Sequence, residues 1–70
     1  MKQFLLFVAE VFEVDVSEIS LETEYLKFEK WDSLMMLTLI MELEAKYNVT
    51  IPIEKLGAVK RLSDLYDFVK

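Results

Sequence analysis

Chemistry gathers at one place in this sequence, Trp31-Asp32-Ser33-Leu34, where a long polar loop runs into its most apolar helical stretch. Asp32 and Ser33 are both good helix N-cap residues, because their side-chain oxygens can accept from the free N–H groups of a first turn. The spacing therefore predicts a serine hydroxyl at the positive end of a helix dipole, on the surface, at the mouth of a loop. Such a position favours an anionic group, above all a phosphate. The simpler reading, that the pair only caps a helix, stands beside it. Catalysis by the chain itself has little to work with. There is no His and no Cys, so Ser33 lacks the usual general base, and there is neither a thiol nucleophile nor a thiolate metal site. No Gly-rich phosphate loop or metal-ligand spacing occurs. Glu42 and Glu44 lie two apart on a helix and diverge, so they read as rim charges rather than a catalytic pair. An exposed serine framed by apolar residues describes a place where another protein attaches something.

The elements that must position this serine follow from periodicity. Met1 to Glu13 reads as a first helix, with Phe4, Val8, Val11 and Phe12 on one stripe, Leu5 beside it, and Leu6 and Phe7 widening the apolar face. Val14 to Lys30 holds no period for long. It reads as a long loop pinned to the core by Val14, Val16, Ile19, Leu21, Tyr25, Leu26 and Phe28, with one short turn over 17–20. A loop of that length inside a small domain is often functional. Leu34 to Tyr47 is the second helix, free of Gly and Pro. Met36, Ile40, Leu43 and Tyr47 line up as its buried face, flanked by Leu37 and Leu39. The opposite face carries Leu34, Thr38, Met41, Glu42 and Ala45, with Met35 at its edge, and is greasier than a solvated face should be. Asn48 suits the left-handed stop of this helix. Pro52 suits the first turn of a short third helix, Ile53 to Leu56, ended by Gly57. Ser63 is placed to cap a last helix, Asp64 to Val69, with Leu62, Leu65, Tyr66 and Val69 as its buried stripe. The sum is a single all-α domain over 1–70: a four-helix bundle of three main helices and a short third one, with a long loop between helices one and two.

Composition narrows the partners. Seventy residues make one small domain, and 54% hydrophobic content lets it fold without disulfides. The net charge is −5. Residues 1–32 hold eight acids and three bases, and residues 33–70 hold five of each, so the whole excess precedes Ser33. An acidic surface argues against nucleic acid and anionic membranes and in favour of basic patches on other proteins. The apolar run Phe4 to Ala9 is interrupted by Glu10 and Glu13 too early for a signal peptide, and no stretch approaches the ~20 apolar residues of a membrane span. A cytoplasmic location is the expectation.

At this point the residues resemble a known family, the acyl carrier proteins of the stand-alone type, small helical domains that bear phosphopantetheine on a serine. Asp32-Ser33-Leu34 is similar to the family's Asp-Ser-Leu attachment motif, with Trp31 before it as in many members. The triplet lies mid-chain after an acidic loop, and Ile51-Pro52 follows eighteen residues beyond the serine. Val14-Asp15 to Ile19, Leu21 to Tyr25 with its loop-anchoring aromatic, Leu39 to Tyr47 and Leu62 to Val69 are similar to the family's remaining segments. Lys30 stands where many members have glycine, Phe28 replaces a loop leucine, and Thr38 stands where an acid is common. Glu44 matches a commonly acidic position.

The resemblance implies an attached cofactor and a set of partners. A phosphopantetheinyl transferase would place 4′-phosphopantetheine on Ser33, with Asp32 serving the transferase and its metal. The imported thiol would carry acyl groups as thioesters, in fatty-acid, polyketide or specialised lipid synthesis. Acyl-activating, ketosynthase or acyltransferase enzymes would be the partners of a carrier that is itself non-catalytic and monomeric. Leu34, Met35 and Met41 would form the apolar part of the docking face, and Glu42 and Glu44 would meet basic residues. Met36, Leu37, Leu56 and Val59 would line a space for the acyl chain, unless they are plain core. Two other readings stay open here: an aminoacyl or peptidyl carrier of nonribosomal synthesis, and a helical interaction module with no prosthetic group.

Overall fold

The computed structural model describes residues 2–70. Its elements are α1 (Lys2–Phe12), α2 (Ser33–Tyr47) and α3 (Leu62–Val69), with short 3-10 turns at Val16–Glu18 and Ile53–Ala58. No β-strand occurs among the described residues; Glu24 and Arg61 form a single isolated antiparallel bridge. The expected all-α architecture is therefore present, with the short third helix in 3-10 form. Met1, expected to start the first helix, lies outside the described residues.

Phe4, Val8, Ala9 and Phe12 turn the expected face of α1 into the core. Leu6, on the widened side, stays about half exposed (46%). α1 stops because Glu13 adopts the left-handed conformation, φ 60°. The Glu13 N–H then donates to the Glu10 carbonyl and the Val14 N–H to the Ala9 carbonyl, at 3.2 and 3.0 Å. These two bonds serve carbonyls that a helix end leaves free. A capping box holds the turn that follows. Asp15 accepts from the Ser17 N–H at 2.9 Å, while Glu18 accepts from the Asp15 N–H at 3.1 Å.

From there to Asp32 the chain runs without a helix of its own, and its anchors are tertiary. Ile19 and Trp31 are buried, and Leu21, Tyr25 and Phe28 are half-buried. Leu26 is no anchor: it is 91% exposed. Phe28, Phe12, Trp31 and Tyr25 form a column of rings, with successive centroids 5.5, 5.9 and 5.3 Å apart. The column fastens the loop to the end of α1.

The loop also caps α3. The Leu62 N–H donates to the Thr23 carbonyl at 3.1 Å and the Ser63 N–H to the Leu21 carbonyl at 3.0 Å. Asp64 reaches back to the Lys60 and Arg61 N–H groups at 2.8 and 3.1 Å. The helix therefore begins at Leu62, after Arg61, and Ser63 is not its cap: the loop carbonyls take the free N–H groups of Leu62 and Ser63, which puts Ser63 inside the first turn.

In α2 the buried residues are Met36, Leu39, Ile40 and Leu43. Leu37, expected to flank this face, is half exposed (50%). At about 100° per residue it projects roughly a quarter-turn away from the buried stripe. Tyr47 is half-buried. Asn48 ends the helix in the left-handed region, φ 55° and ψ 47°, as expected, with its N–H on the Glu44 carbonyl. Pro52 precedes the 3-10 turn rather than opening it, with an extended ψ of 133°. Gly57 lies within that turn at negative φ and does not terminate it.

Candidate functional site

The site is assembled by the entry into α2. Asp32 is extended, φ −109° and ψ −173°, and is the cap: its Oδ1 accepts from the Met35 N–H at 2.8 Å, and its carbonyl accepts from Met36 at 2.8 Å. Ser33 is thereby the first helical residue and lies exposed. The Ser33 and Leu34 N–H groups have no partner among the described residues. They are two of the donors that every helix start leaves unpaired, and they point out of the positive end of the dipole.

Trp31 holds this corner in place from below. Its ring is buried (2% exposed), packed against Phe12 and Tyr25. Its Nε1 has no hydrogen-bond partner among the described residues, so what the indole contributes to this corner is the packing of its ring. Tyr25 meets it edge-on, at 70° between planes. The Tyr25 N–H donates to the Lys60 carbonyl at 2.8 Å. Tyr25 Oη then lies 3.2 Å from Ser33 Oγ. Nothing in the sequence reading anticipated this contact. Tyr25 stands eight residues before the serine, and only the fold of the loop brings them together.

Two depressions meet at Tyr25. One, of about 340 Å³, is open and surrounds the hydroxyl; Lys27, Phe28, Asp32 and Ser33 are among its walls. The other is an apolar groove of about 270 Å³ formed by Tyr25, Leu26, Leu56, Gly57 and Val59. Of the four residues expected either to line a space for a chain or to be plain core, Leu56 and Val59 border this groove, Val59 as part of the buried core. Met36 and Leu37 do not: the first is buried in the core and the second faces outward.

Of the residues expected to meet partners, Leu34 and Met41 are 75% and 68% exposed, and with Leu37 they make one apolar stripe on the outer face of α2. Glu42 is exposed and Met35 half-buried. Glu44 is turned inward: its carboxylate accepts from the Ile51 N–H at 2.7 Å, fastening the connector after α2. Thr38 donates its hydroxyl to the Leu34 carbonyl at 3.1 Å, so this outer face carries no charge before Glu42.

Ser33 is exposed and borders the open hollow. Its oxygen touches a phenol hydroxyl, while the nearest carboxylate in sequence, Asp32, is engaged with the Met35 N–H. No group of three or more potential metal ligands occurs among the described residues. An exposed hydroxyl, two unpaired N–H donors and an open hollow suit a covalently attached phosphate.

Comparison with known proteins agrees. Residues 3–69 match the family model described as a phosphopantetheine attachment site. The acyl carrier protein of Helicobacter pylori strain J99 is 33% identical over 63 residues, covering 90% of this chain and 81% of that protein. The acyl carrier protein of Rickettsia canadensis is 32% identical over 63 residues, covering 90% and 73%. The solution structure of a holo acyl carrier protein from Geobacter metallireducens superimposes with a TM-score of 0.84 at 29% identity, covering 97% of this chain and 78% of that one. A hydroxyl presented at a helix start, on a fold shared along nearly its whole length with these proteins, places the chain in the phosphopantetheine-bearing acyl carrier protein family.

Proposed function

We propose that Ser33 is the residue that bears the phosphopantetheine arm and that the chain works as a mobile, non-catalytic carrier of acyl thioesters. The observation that carries this reading is the exposed Ser33 hydroxyl in the first turn of α2, beside the unpaired Ser33 and Leu34 N–H groups. Those donors and the helix dipole stabilise a phosphodiester there by roughly 0.3–1 kcal/mol at an exposed position. Asp32 opposes it by like charge, and its retention as cap fits a second role toward the transferase. When attached, the arm supplies the terminal thiol that this Cys-free chain lacks.

The rest of the chain positions that arm and its visitors. The groove of Tyr25, Leu26, Leu56, Gly57 and Val59 offers an apolar rest for a carried chain. A phosphopantetheinyl transferase and then acyl-activating, ketosynthase or acyltransferase enzymes dock over Leu34, Met41 and Glu42. Met35 contributes its edge, and Glu44 acts chiefly through the connector. Docking is brief, since a carrier that serves several enzymes must leave each of them. The protein acts as a monomer in the cytoplasm; among the described residues no helix is long and apolar enough to cross a membrane.

Intact mass after incubation with coenzyme A and a broad-specificity transferase tests the reading. Wild type gains one arm and Ser33→Ala gains none. Modification of both proteins, or of neither, refutes it.

A further inference from the structure

We propose that Tyr25 is a positioning residue for the arm: its hydroxyl donates to the phosphodiester at Ser33 and turns the arm's root toward the apolar groove. This rests on Ser33 as the attachment site. Packing alone asks only for a ring at position 25. The edge-on contact with Trp31 and the wall of the groove would be served equally by phenylalanine. The hydroxyl is the surplus, and it lies 3.2 Å from Ser33 Oγ.

Its placement is built rather than incidental. The Tyr25 N–H is tied to the Lys60 carbonyl at 2.8 Å, and the ring lies on the buried Trp31. The turn beyond it is closed by Lys27 and Phe28 N–H groups on the Glu24 carbonyl, at 3.1 and 3.0 Å. Three parts of the molecule therefore hold one phenol beside one serine.

Arm transfer alters what that phenol faces. The Ser33 Oγ–phosphorus bond forms, the phosphorus–oxygen bond of the pyrophosphate in coenzyme A breaks, the adenosine bisphosphate leaves, and the Ser33 proton passes to a base of the transferase. A neutral hydroxyl becomes an anionic diester, whose non-bridging oxygens lie two bonds from Oγ, within reach of a donor already set 3.2 Å away. A hydrogen bond to a charged acceptor is roughly twice as strong as a neutral one. The Ser33 and Leu34 N–H groups meet the phosphate along the helix axis, and Tyr25 meets it from the side. Because Tyr25 also walls the groove, the arm's first torsions are biased toward Leu56 and Val59.

Tyr25→Phe removes the hydroxyl and keeps the ring. The full-length variant is loaded with the arm beside wild type, and the ³¹P resonance of each holo-protein is recorded. A displaced resonance is expected in the variant, with kcat/KM for arm transfer lowered roughly three- to tenfold and melting close to wild type. Coincident resonances overturn the proposal, even with a slowed transfer. If Tyr25→Phe fails to fold, a heteronuclear Overhauser contact between phosphorus and the Tyr25 ring protons of wild-type holo-protein decides: present, it supports the proposal; absent, it overturns it. Failure of wild type to take an arm on Ser33 removes both this inference and the function it rests on, whereas coincident resonances in two loaded proteins remove this inference alone.

Discussion

Asp32 has two jobs in this account, and they separate experimentally. One is structural: Oδ1 accepts from the Met35 N–H at 2.8 Å and satisfies a donor at the start of α2. Removing a cap of this kind costs about 1 kcal/mol, within a span of roughly 0.5–2. A domain of this size has only about 4–10 kcal/mol of stability in total, so the loss is visible. At roughly 4–8 °C per kcal/mol for a small domain, Asp32→Ala is expected to melt about 4–8 °C below wild type. Asn caps as well as Asp. Asp32→Asn therefore keeps the acceptor, discards the charge, and should lose less than half of that shift.

The other job is electrostatic, toward the enzyme that modifies Ser33. Asp32→Asn should then remain folded and yet accept the arm much more slowly. Thermal melting by circular dichroism and arm transfer followed by intact mass, run on the same three proteins, separate the roles. Equal melting of Asp32→Ala and wild type would refute the capping argument. Equal loss of stability in the Asn and Ala variants would refute the claim that the oxygen, not the charge, holds the helix start.

Glu13→Gly should stabilise the fold by roughly 0.5 kcal/mol, because glycine escapes the left-handed penalty at φ 60° while loosening the unfolded chain; a melting temperature at or below wild type would contradict this. Glu44→Ala should destabilise by about 1–3 kcal/mol through the orphaned Ile51 N–H, while Glu44→Gln keeps an acceptor and most of the stability. Urea melts of the two variants measure that difference, and arm attachment should survive in both. The Ser17 backbone N–H, and then its hydroxyl, hold the Asp15 carboxyl below its ordinary value of 3.8. Its small contribution to stability is therefore complete above that pH and fades as pH falls through the depressed value. A carboxyl NMR titration with a midpoint at or above 3.8 would contradict the capping geometry.

Much of this fold was legible because local chemistry and burial agree. The stripe of α1, the core face of α2, Asn48 as a stop and Asp32-Ser33 as a helix start all rest on contacts within a few residues. What escaped the sequence depends on distant chain. Ser63 has the composition of a cap, but loop carbonyls of Thr23 and Leu21 take the Leu62 and Ser63 N–H groups, so the helix starts at Leu62 and Ser63 lies inside its first turn. Glu44 looked like a rim acid because its partner, the Ile51 N–H, comes within reach only after the chain reverses at Asn48. Leu26 is as apolar as the true loop anchors beside it, and only the turn closed on the Glu24 carbonyl sends it outward. At the site, the capping chemistry of Asp32-Ser33 placed Ser33 in the open, but the tyrosine hydroxyl beside it depends on how the whole loop folds over α3.

The most direct measurement is tandem mass spectrometry of peptides from the loaded protein, locating the arm among the four serines Ser17, Ser20, Ser33 and Ser63. The account predicts phosphopantetheine on the peptide bearing Ser33 and on no other. An arm mapped to a different serine would contradict it.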